Sequence, residues 1–262
     1  MILKAKDIRK TFGPTIALDN AQVELKDGEV NALVGENGAG KSTILKAIAG
    51  VHSMDSGEIM IDGQKVDIHN TNDAIANGIS IVFQESTINP FITIAENIFI
   101  DRLHQYKKFG RGIDWKRINE DAQEILDSME SGIDVKTDIH ALNLGQWKLI
   151  EVARALSYHP KILLLDESTA FLNHNETVSF ISSVKKLRER GMAIGFVSHH
   201  MQEIYELADR ITVMRDGKFI VEMLREEAAQ TAQKIYGNQV FIRGLIEFTN
   251  YCKNDCYYCG IR

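Results

Sequence analysis

The stretch GENGAGKS, residues 35–42, decides the fold of this chain. It fits the pattern G-x-x-x-x-G-K-[ST] and lies between an apolar run, EVNALV, and a helical run, STILKAIAG. Glycines allow positive φ angles, so the backbone N–H groups of such a loop can meet phosphate oxygens at the positive end of the following helix. We therefore predict a phosphate-binding loop. Its predicted phosphate-binding residues are Gly35, Gly38, Ala39, Gly40, Lys41, Ser42 and Thr43.

A second motif, which is acidic, predicts a metal ion beside the phosphates. KILLLDES (161–168) is an apolar strand pattern that ends in two carboxylates. We expect Lys41 to reach the β- and γ-phosphates, and Ser42 and Asp166 to hold Mg²⁺. Glu167 is then placed to orient or deprotonate an attacking water. Together the two motifs predict a site for a nucleoside triphosphate and Mg²⁺.

The rest of the chain predicts an α/β fold. From about residue 29, short apolar runs alternate with helical segments, which is typical of parallel strands joined by crossover helices. Residues 1–30 and 57–66 instead predict antiparallel strands, with turns at residues 26–28 and 62–63. Residues 114–130 predict a helix. Its expected apolar face consists of Trp115, Ile118, Ala122, Ile125 and Met129.

Composition limits the partners and the compartment. The net charge is −6, with 25% charged and 44% hydrophobic residues, as in ordinary soluble proteins. Nucleic acid is not expected as the main partner, because its binding needs clustered Lys and Arg. The N-terminus lacks a secretory apolar core, and no run of about 18 apolar residues occurs. We expect a cytoplasmic protein.

Further motifs carry a family resemblance over about residues 1–220. IVFQES (81–86), LNLGQWKLIEVARAL (142–156) and GFVSHHMQEIYELADRITVMRDGK (195–218), with the two motifs above, resemble the ATP-binding cassette (ABC) family of P-loop NTPases. These motifs are most similar to those of the ATPases of bacterial carbohydrate importers. The resemblance implies a cassette with an antiparallel β subdomain and a helical subdomain. It also implies that Phe12 stacks on adenine, Gln84 reaches Mg²⁺ and the attacking water, and His199 contacts the γ-phosphate.

The same resemblance implies that the site is shared between two subunits. Asn143, Gly145 and Gln146 occupy the signature position, which in the family covers the ATP of the opposite subunit. A head-to-tail dimer, with itself or with a second cassette, would close on two Mg·ATP. Separate permease subunits would hold it at the inner face of the plasma membrane. Asn143 stands where serine is usual, so the contact with the ATP of the opposite subunit would come from an amide rather than a hydroxyl.

The C-terminus differs from the rest of the chain. All three cysteines, Cys252, Cys256 and Cys259, lie in a C-x-x-x-C-x-x-C pattern that could ligate three irons of a [4Fe–4S] cluster. Residues 225–262 resemble the start of the radical S-adenosylmethionine enzyme that matures [FeFe]-hydrogenase. A zinc site and free thiols are the alternatives for the three cysteines.

The two resemblances predict a nearly whole N-terminal domain and a short C-terminal fragment. Residues 1–222 are the expected ATP-binding domain, and residues 223–262 a truncated fragment that is too short to order itself or to perform radical chemistry. The predicted function is the ATP-binding and ATP-hydrolysing subunit of an importer for a sugar-like solute. The alternatives are a radical enzyme represented only by its cluster segment, a cassette with an iron–sulfur sensor tail, and a soluble cassette without a permease.

Overall fold

The computed structural model describes residues 3–108 and 112–224, which form two β-sheets with helices around them. The strands of the described residues are β1 (Leu3–Phe12), β2 (Thr15–Leu25), β3 (Val30–Val34), β4 (Ser56–Ile61), β5 (Gln64–Val66), β6 (Ile79–Val82), β7 (Ile162–Asp166), β8 (Ala193–Val197), β9 (Arg210–Arg215) and β10 (Lys218–Leu224). The helices are α1 (Lys41–Ile48), α2 (Thr71–Ala76), α3 (Ile94–Ile98), α4 (Trp115–Ser128), α5 (Leu144–Leu156), α6 (His174–Glu189) and α7 (Met201–Leu207).

The larger sheet has the strand order β10-β9-β3-β8-β7-β6. Its strands β9, β3, β8, β7 and β6 are parallel, as the alternation of apolar and helical runs predicts. Every residue of β7 and of β8 is buried, because helices cover a parallel sheet on both faces. The prediction of an α/β fold is confirmed.

The smaller sheet has the order β2-β1-β4-β5 and is antiparallel throughout, also as predicted. Ile61 pairs with Gln64, so Asp62 and Gly63 form a two-residue hairpin loop. Both have positive φ, 49° and 79°, which suits the right-handed twist of the two strands. The predicted turn at residues 26–28 has a different role, because it leads from β2 into β3 of the larger sheet.

Strand β10 was not predicted. It pairs antiparallel with β9 through a two-residue loop at Asp216 and Gly217, and it runs to Leu224. It therefore continues past the predicted domain boundary at residue 222, which stays a prediction. Residues 225–262, and with them the cysteines Cys252, Cys256 and Cys259, lie outside the described residues.

A helical segment with α3, α4 and α5 is inserted between β6 and β7, in agreement with the expected helical subdomain. The predicted apolar face of α4 is only partly right. Ile118, Ala122 and Met129 are buried, but Trp115 is 47% exposed and Leu126, which was not predicted, is fully buried. Trp115 is the first residue of the helix, where the chain has not yet reached the core. Within the described residues, no helix combines the length and apolar character needed to cross a bilayer.

The two positions on α4 allow a test of this packing. Leu126→Ala should lower the free energy of unfolding by about 2–5 kcal/mol, because it removes a fully buried side chain. Trp115→Ala should cost less than about 1 kcal/mol, since the ring is half exposed. Urea denaturation of both variants measures the difference. A larger loss for Trp115→Ala would contradict this position of the helix.

Candidate functional site

Strand register brings three segments to one edge of the larger sheet. Val197 pairs with Leu33 of β3 on one side and with Asp166 of β7 on the other. Because these strands are parallel, the residues that follow each of them emerge at the same edge. The phosphate-binding loop, the acidic motif and the segment with His199 therefore meet there.

The phosphate-binding loop is packed tightly at two of its glycines. A Cβ atom at Gly35 would lie 2.2 Å from Met214 O, and one at Gly40 would lie 2.8 Å from Ala17 O. Gly38 differs, since a Cβ there would meet nothing within 4 Å, although its φ is 83°. Two glycines are thus required by packing, whereas Gly38 leaves its backbone open to a ligand.

Lys41 is the first residue of α1 and is 4% exposed. Its Nζ donates to the carbonyl oxygens of Gly35 at 2.9 Å and of Glu36 at 3.0 Å. Burial lowers the pKa of Lys41, and the carboxylates of Glu167 and Asp166 act in the opposite direction. The ammonium is thus held over the loop by groups that a phosphate could replace.

Asp166 ends β7 and is 1% exposed. Its Oδ2 lies 3.6 Å from Lys46 Nζ, while its Oδ1 is buried and has no hydrogen-bond partner among the described residues. An unpartnered buried carboxylate oxygen is costly unless something binds it. Together with the hydroxyl of Ser42 on α1, it offers the oxygen ligands that Mg²⁺ prefers. These residues fit the predicted ion.

Glu167 and His199 are in direct contact. His199 Nε2 lies 2.6 Å from Glu167 Oε1. Glu167 has a φ of 46°, a strained conformation for a residue with a side chain, and its N–H donates to Val197 O at 3.0 Å. Such strain is often found at functional sites, where neighbouring structure holds it in place.

These groups line a cavity of about 510 Å³. Phe12 stands at this cavity, 45% exposed, with its ring centroid 5.1 Å from that of His52 in an edge-on arrangement. The predicted residues that line it are Phe12, Gly38, Ala39, Gly40, Lys41, Ser42, Thr43, Glu167 and His199. Those that do not line it are Gly35, Gln84, Asn143, Gly145, Gln146 and the buried Asp166.

The signature segment has a structural role of its own. Asn143 caps α5: its Oδ1 accepts from Gln146 N at 2.9 Å, and Gln146 Oε1 accepts from Asn143 N at 3.0 Å. Gly145 is packed against α6, because a Cβ there would lie 2.8 Å from Glu176 Cβ. With Oδ1 engaged in the cap, the donor that Asn143 can offer to another molecule is its side-chain amide.

Sequence reasoning missed Glu203 on α7. It is 7% exposed, and its Oε2 accepts from Thr169 Oγ1 and from Ser198 Oγ, both at 2.6 Å. Thr169 follows Glu167 by two residues and Ser198 precedes His199, so Glu203 joins the two segments that carry these side chains. Its signal in the sequence is an acidic residue next to apolar ones in a short helix, which is weak.

We expect Glu203→Ala to destabilise the protein by about 1–3 kcal/mol, because it leaves two buried hydroxyl groups without their acceptor. Glu206→Ala, on the same helix, is the matched control. Glu206 forms a partly exposed ion pair with Lys185 at 2.9 Å, and its loss should cost less than about 1 kcal/mol. Thermal unfolding of both variants measures the two losses of stability. Equal losses would show that the buried hydrogen bonds of Glu203 contribute no more than an exposed ion pair.

The solved structures that are similar to this chain include ATP-binding cassettes. A nucleotide-free cassette from an ABC transporter aligns with a TM-score of 0.78 at 26% identity, covering 89% of this chain and 95% of that chain. A dimeric cassette in a post-hydrolysis state, bound to ADP and Pi, aligns with a TM-score of 0.70 at 26% identity, covering 86% and 99%. The cassette fold with its helical subdomain is thereby confirmed.

Curated relatives include sugar import proteins. The galactose/methyl galactoside import ATP-binding protein MglA of Clostridium tetani is 41% identical over 84% of this chain and 44% of its own length. The ribose import ATP-binding protein RbsA of Chromobacterium violaceum is 38% identical over 92% of this chain and 48% of its own length. The chain thus spans about half the length of these relatives.

The family described as ABC transporter matches residues 18–170, from β2 to the segment after the acidic motif. This range includes the phosphate-binding loop, Gln84, the signature segment, Asp166 and Glu167. The chain therefore belongs to the ABC transporter family.

Proposed function

We propose that this chain is the Mg²⁺-dependent ATPase subunit of an importer for a sugar-like solute. The observation that carries the proposal is that the phosphate-binding loop, Glu167, His199 and Phe12 all line one and the same cavity. The cassette fold and the sugar import relatives support it further.

ATP would bind with its base at Phe12 and its phosphates over the loop. A planar aromatic ring suits adenine stacking. The amides of the loop and the N-terminal end of α1 attract the phosphates, and Lys41 exchanges its loop carbonyls for phosphate oxygens. Because its two acceptors belong to the loop itself, this exchange needs only a rotation of the side chain.

Asp166 and Ser42 would hold the ion, with Gln84 as a further ligand. Mg²⁺, when bound, neutralises phosphate charge. Among the described residues, no group of three His, Cys, Asp or Glu side chains could hold a metal by itself. Mg²⁺ usually keeps several waters and is held by one or two carboxylates together with substrate phosphates, so ion and nucleotide binding are expected to depend on each other.

Glu167 would orient the attacking water and accept its proton. The water oxygen bonds to the γ-phosphorus, the bond to the β-phosphate oxygen breaks, and ADP and phosphate are released. The contact of 2.6 Å between His199 and Glu167 keeps this carboxylate in one orientation. His199 is then positioned to contact the γ-phosphate.

A second cassette and a permease complete the proposed assembly. Asn143, Gly145 and Gln146 lie outside the cavity of their own subunit, which supports a role across a head-to-tail dimer. The loop between β6 and α3 presents Phe91, which is 89% exposed, on a backbone held by Asn97. A fixed loop with an exposed aromatic side chain suits contact with a permease at the inner face of the plasma membrane.

The C-terminal cysteines remain a separate hypothesis. A [4Fe–4S] cluster at Cys252, Cys256 and Cys259, and the S-adenosylmethionine chemistry of a longer parent enzyme, rest on the sequence pattern alone. The ATPase proposal does not depend on them.

The ATPase proposal is tested by two substitutions in the cavity. Lys41→Ala should weaken ATP binding at least about tenfold, because a buried cation facing the phosphates is removed. Glu167→Gln should retain ATP binding and lose about 10²-fold or more in kcat. Equilibrium binding of Mg·ATP and phosphate release measure these effects, and sedimentation velocity shows whether Glu167→Gln dimerises with ATP.

Lys161→Ala serves as the control, because Lys161 lies at the opposite end of β7 and its side chain is 67% exposed. It should bind and hydrolyse ATP like the wild type. Failure of the wild type to bind ATP, or equal binding by Lys41→Ala, would overturn the proposed function.

A further inference from the structure

Helix α5 carries buried charged side chains that contact the loop after β6. We call residues 83–87 the glutamine loop, because they include Gln84. Lys148 and Glu151 are separated by about one helical turn and are only 6% and 5% exposed. Charged side chains are rarely buried to this degree unless they are paired, so their contacts need an explanation.

Lys148 binds the backbone carbonyls of two consecutive residues of the glutamine loop. Its Nζ donates to Phe83 O at 3.0 Å and to Gln84 O at 3.2 Å. The same ammonium lies 2.7 Å from Glu151 Oε2, an oxygen for which the described residues provide no other partner. Lys148 therefore uses two of its N–H donors on the glutamine loop, and its ammonium is also ion-paired with Glu151.

Glu151 binds the other end of this loop. Its Oε1 accepts from the backbone N–H of Thr87 and from Ser86 Oγ at 3.0 Å. Arg154, one turn further along α5, donates to Thr87 Oγ1 at 2.8 Å and to Asn97 O at 2.6 Å. One face of α5 thus holds the loop at both ends.

Stability alone does not account for a buried ion pair of this kind. Removing two charges from water costs as much as their attraction returns, and an apolar pair of similar size is often equally stable. A function that an apolar pair could not replace is the donation and acceptance of hydrogen bonds by the loop backbone. The pair is therefore better explained by the position that it gives to Gln84.

We propose that Lys148 and Glu151 are positioning residues that join the glutamine loop to the helix that begins at Asn143. This inference rests on the proposed ATPase function, in which Gln84 serves the site of its own subunit and Asn143 that of the opposite subunit. Because α5 is one rigid helix, a displacement of its Asn143 end is transmitted to the backbone of Gln84. The two ATP sites of a dimer are then linked within each subunit through Lys148 and Glu151.

The main test replaces the buried pair by an apolar one, Lys148→Met with Glu151→Leu. The double variant should still fold, with a denaturation midpoint moderately below that of the wild type, because the apolar pair replaces the ion pair at little cost but two loop carbonyls and the Thr87 N–H lose their partners. Its kcat should fall about tenfold or more, because Gln84 is no longer fixed, while its affinity for ATP stays within about twofold. Amide hydrogen exchange in residues 83–87 should be roughly 2- to 10-fold faster, since Thr87 loses its acceptor.

The matched control is Lys116→Met with Glu120→Leu on α4. These residues form an exposed pair at 3.7 Å and contact neither the cavity nor the glutamine loop. The control should keep the wild-type kcat and the wild-type exchange of residues 83–87. A fall in kcat equal to that of the buried pair would show that any loss of an ion pair has this effect, which would overturn the proposal.

A second variant covers the case in which the double variant does not fold. Ser86→Ala with Thr87→Val removes the loop hydroxyls, which are exposed, and leaves the buried pair intact. This variant should fold. Like the variant of the buried pair, it should have a lower kcat and faster amide hydrogen exchange in residues 83–87 than the wild type. If a folded variant of either kind has wild-type kcat and wild-type exchange, the proposal is wrong.

Exchange and turnover separate this inference from the proposed function. A wild-type protein that binds no ATP refutes the ATPase function, whatever residues 83–87 do. Unchanged amide hydrogen exchange of residues 83–87 in the folded double variant refutes the proposed contact of Lys148 and Glu151 with the glutamine loop, whatever the value of kcat. Faster exchange with an unchanged kcat supports the contact but overturns its role in positioning Gln84.

Discussion

The parallel pairing of β3, β8 and β7 is the constraint on which the site depends. One row of backbone partners, Leu33, Val197 and Asp166, aligns the ends of three strands that are far apart in sequence. The side chains that follow them need no other arrangement to meet, because parallel strands end at the same edge. The buried apolar residues of these strands therefore determine the geometry of the site.

Polar groups in the interior then hold the segments that leave this edge. Glu203 joins the segment after β7 to the segment after β8, and Lys148 with Glu151 joins the loop after β6 to α5. Glu203 binds loop hydroxyls, and Lys148 and Glu151 bind the backbone of residues 83–87, which apolar side chains could not do. The core gives the strands their order, and these buried charges give the loops their conformation.

A few groups in or beside the cavity remain suited to a ligand. Asp166 Oδ1 is buried and has no hydrogen-bond partner in the described part of the chain, Lys41 is hydrogen-bonded there only to carbonyls of its own loop, and Glu167 has a strained backbone. The unpartnered carboxylate oxygen is unfavourable for the free protein and a cation would satisfy it, while Lys41 could exchange its carbonyls for phosphate oxygens. The site thus differs from Glu203, Lys148 and Glu151, whose charged groups are already ion-paired or hydrogen-bonded within the protein.

The sequence by itself determined the phosphate-binding loop, the presence of parallel strands joined by helices and the antiparallel sheet, because each depends on local patterns of glycines, apolar runs and turns. It also determined which of the cavity residues to expect, from Phe12 to His199. Tertiary structure alone decided that Leu126 rather than Trp115 is buried, that β10 extends the sheet, and that Glu203, Lys148 and Glu151 are internal. The reason is that a charged residue on a helix carries no local sign of the distant loop groups that packing brings to it: Thr169 is 34 residues from Glu203, and Gln84 is 64 residues from Lys148.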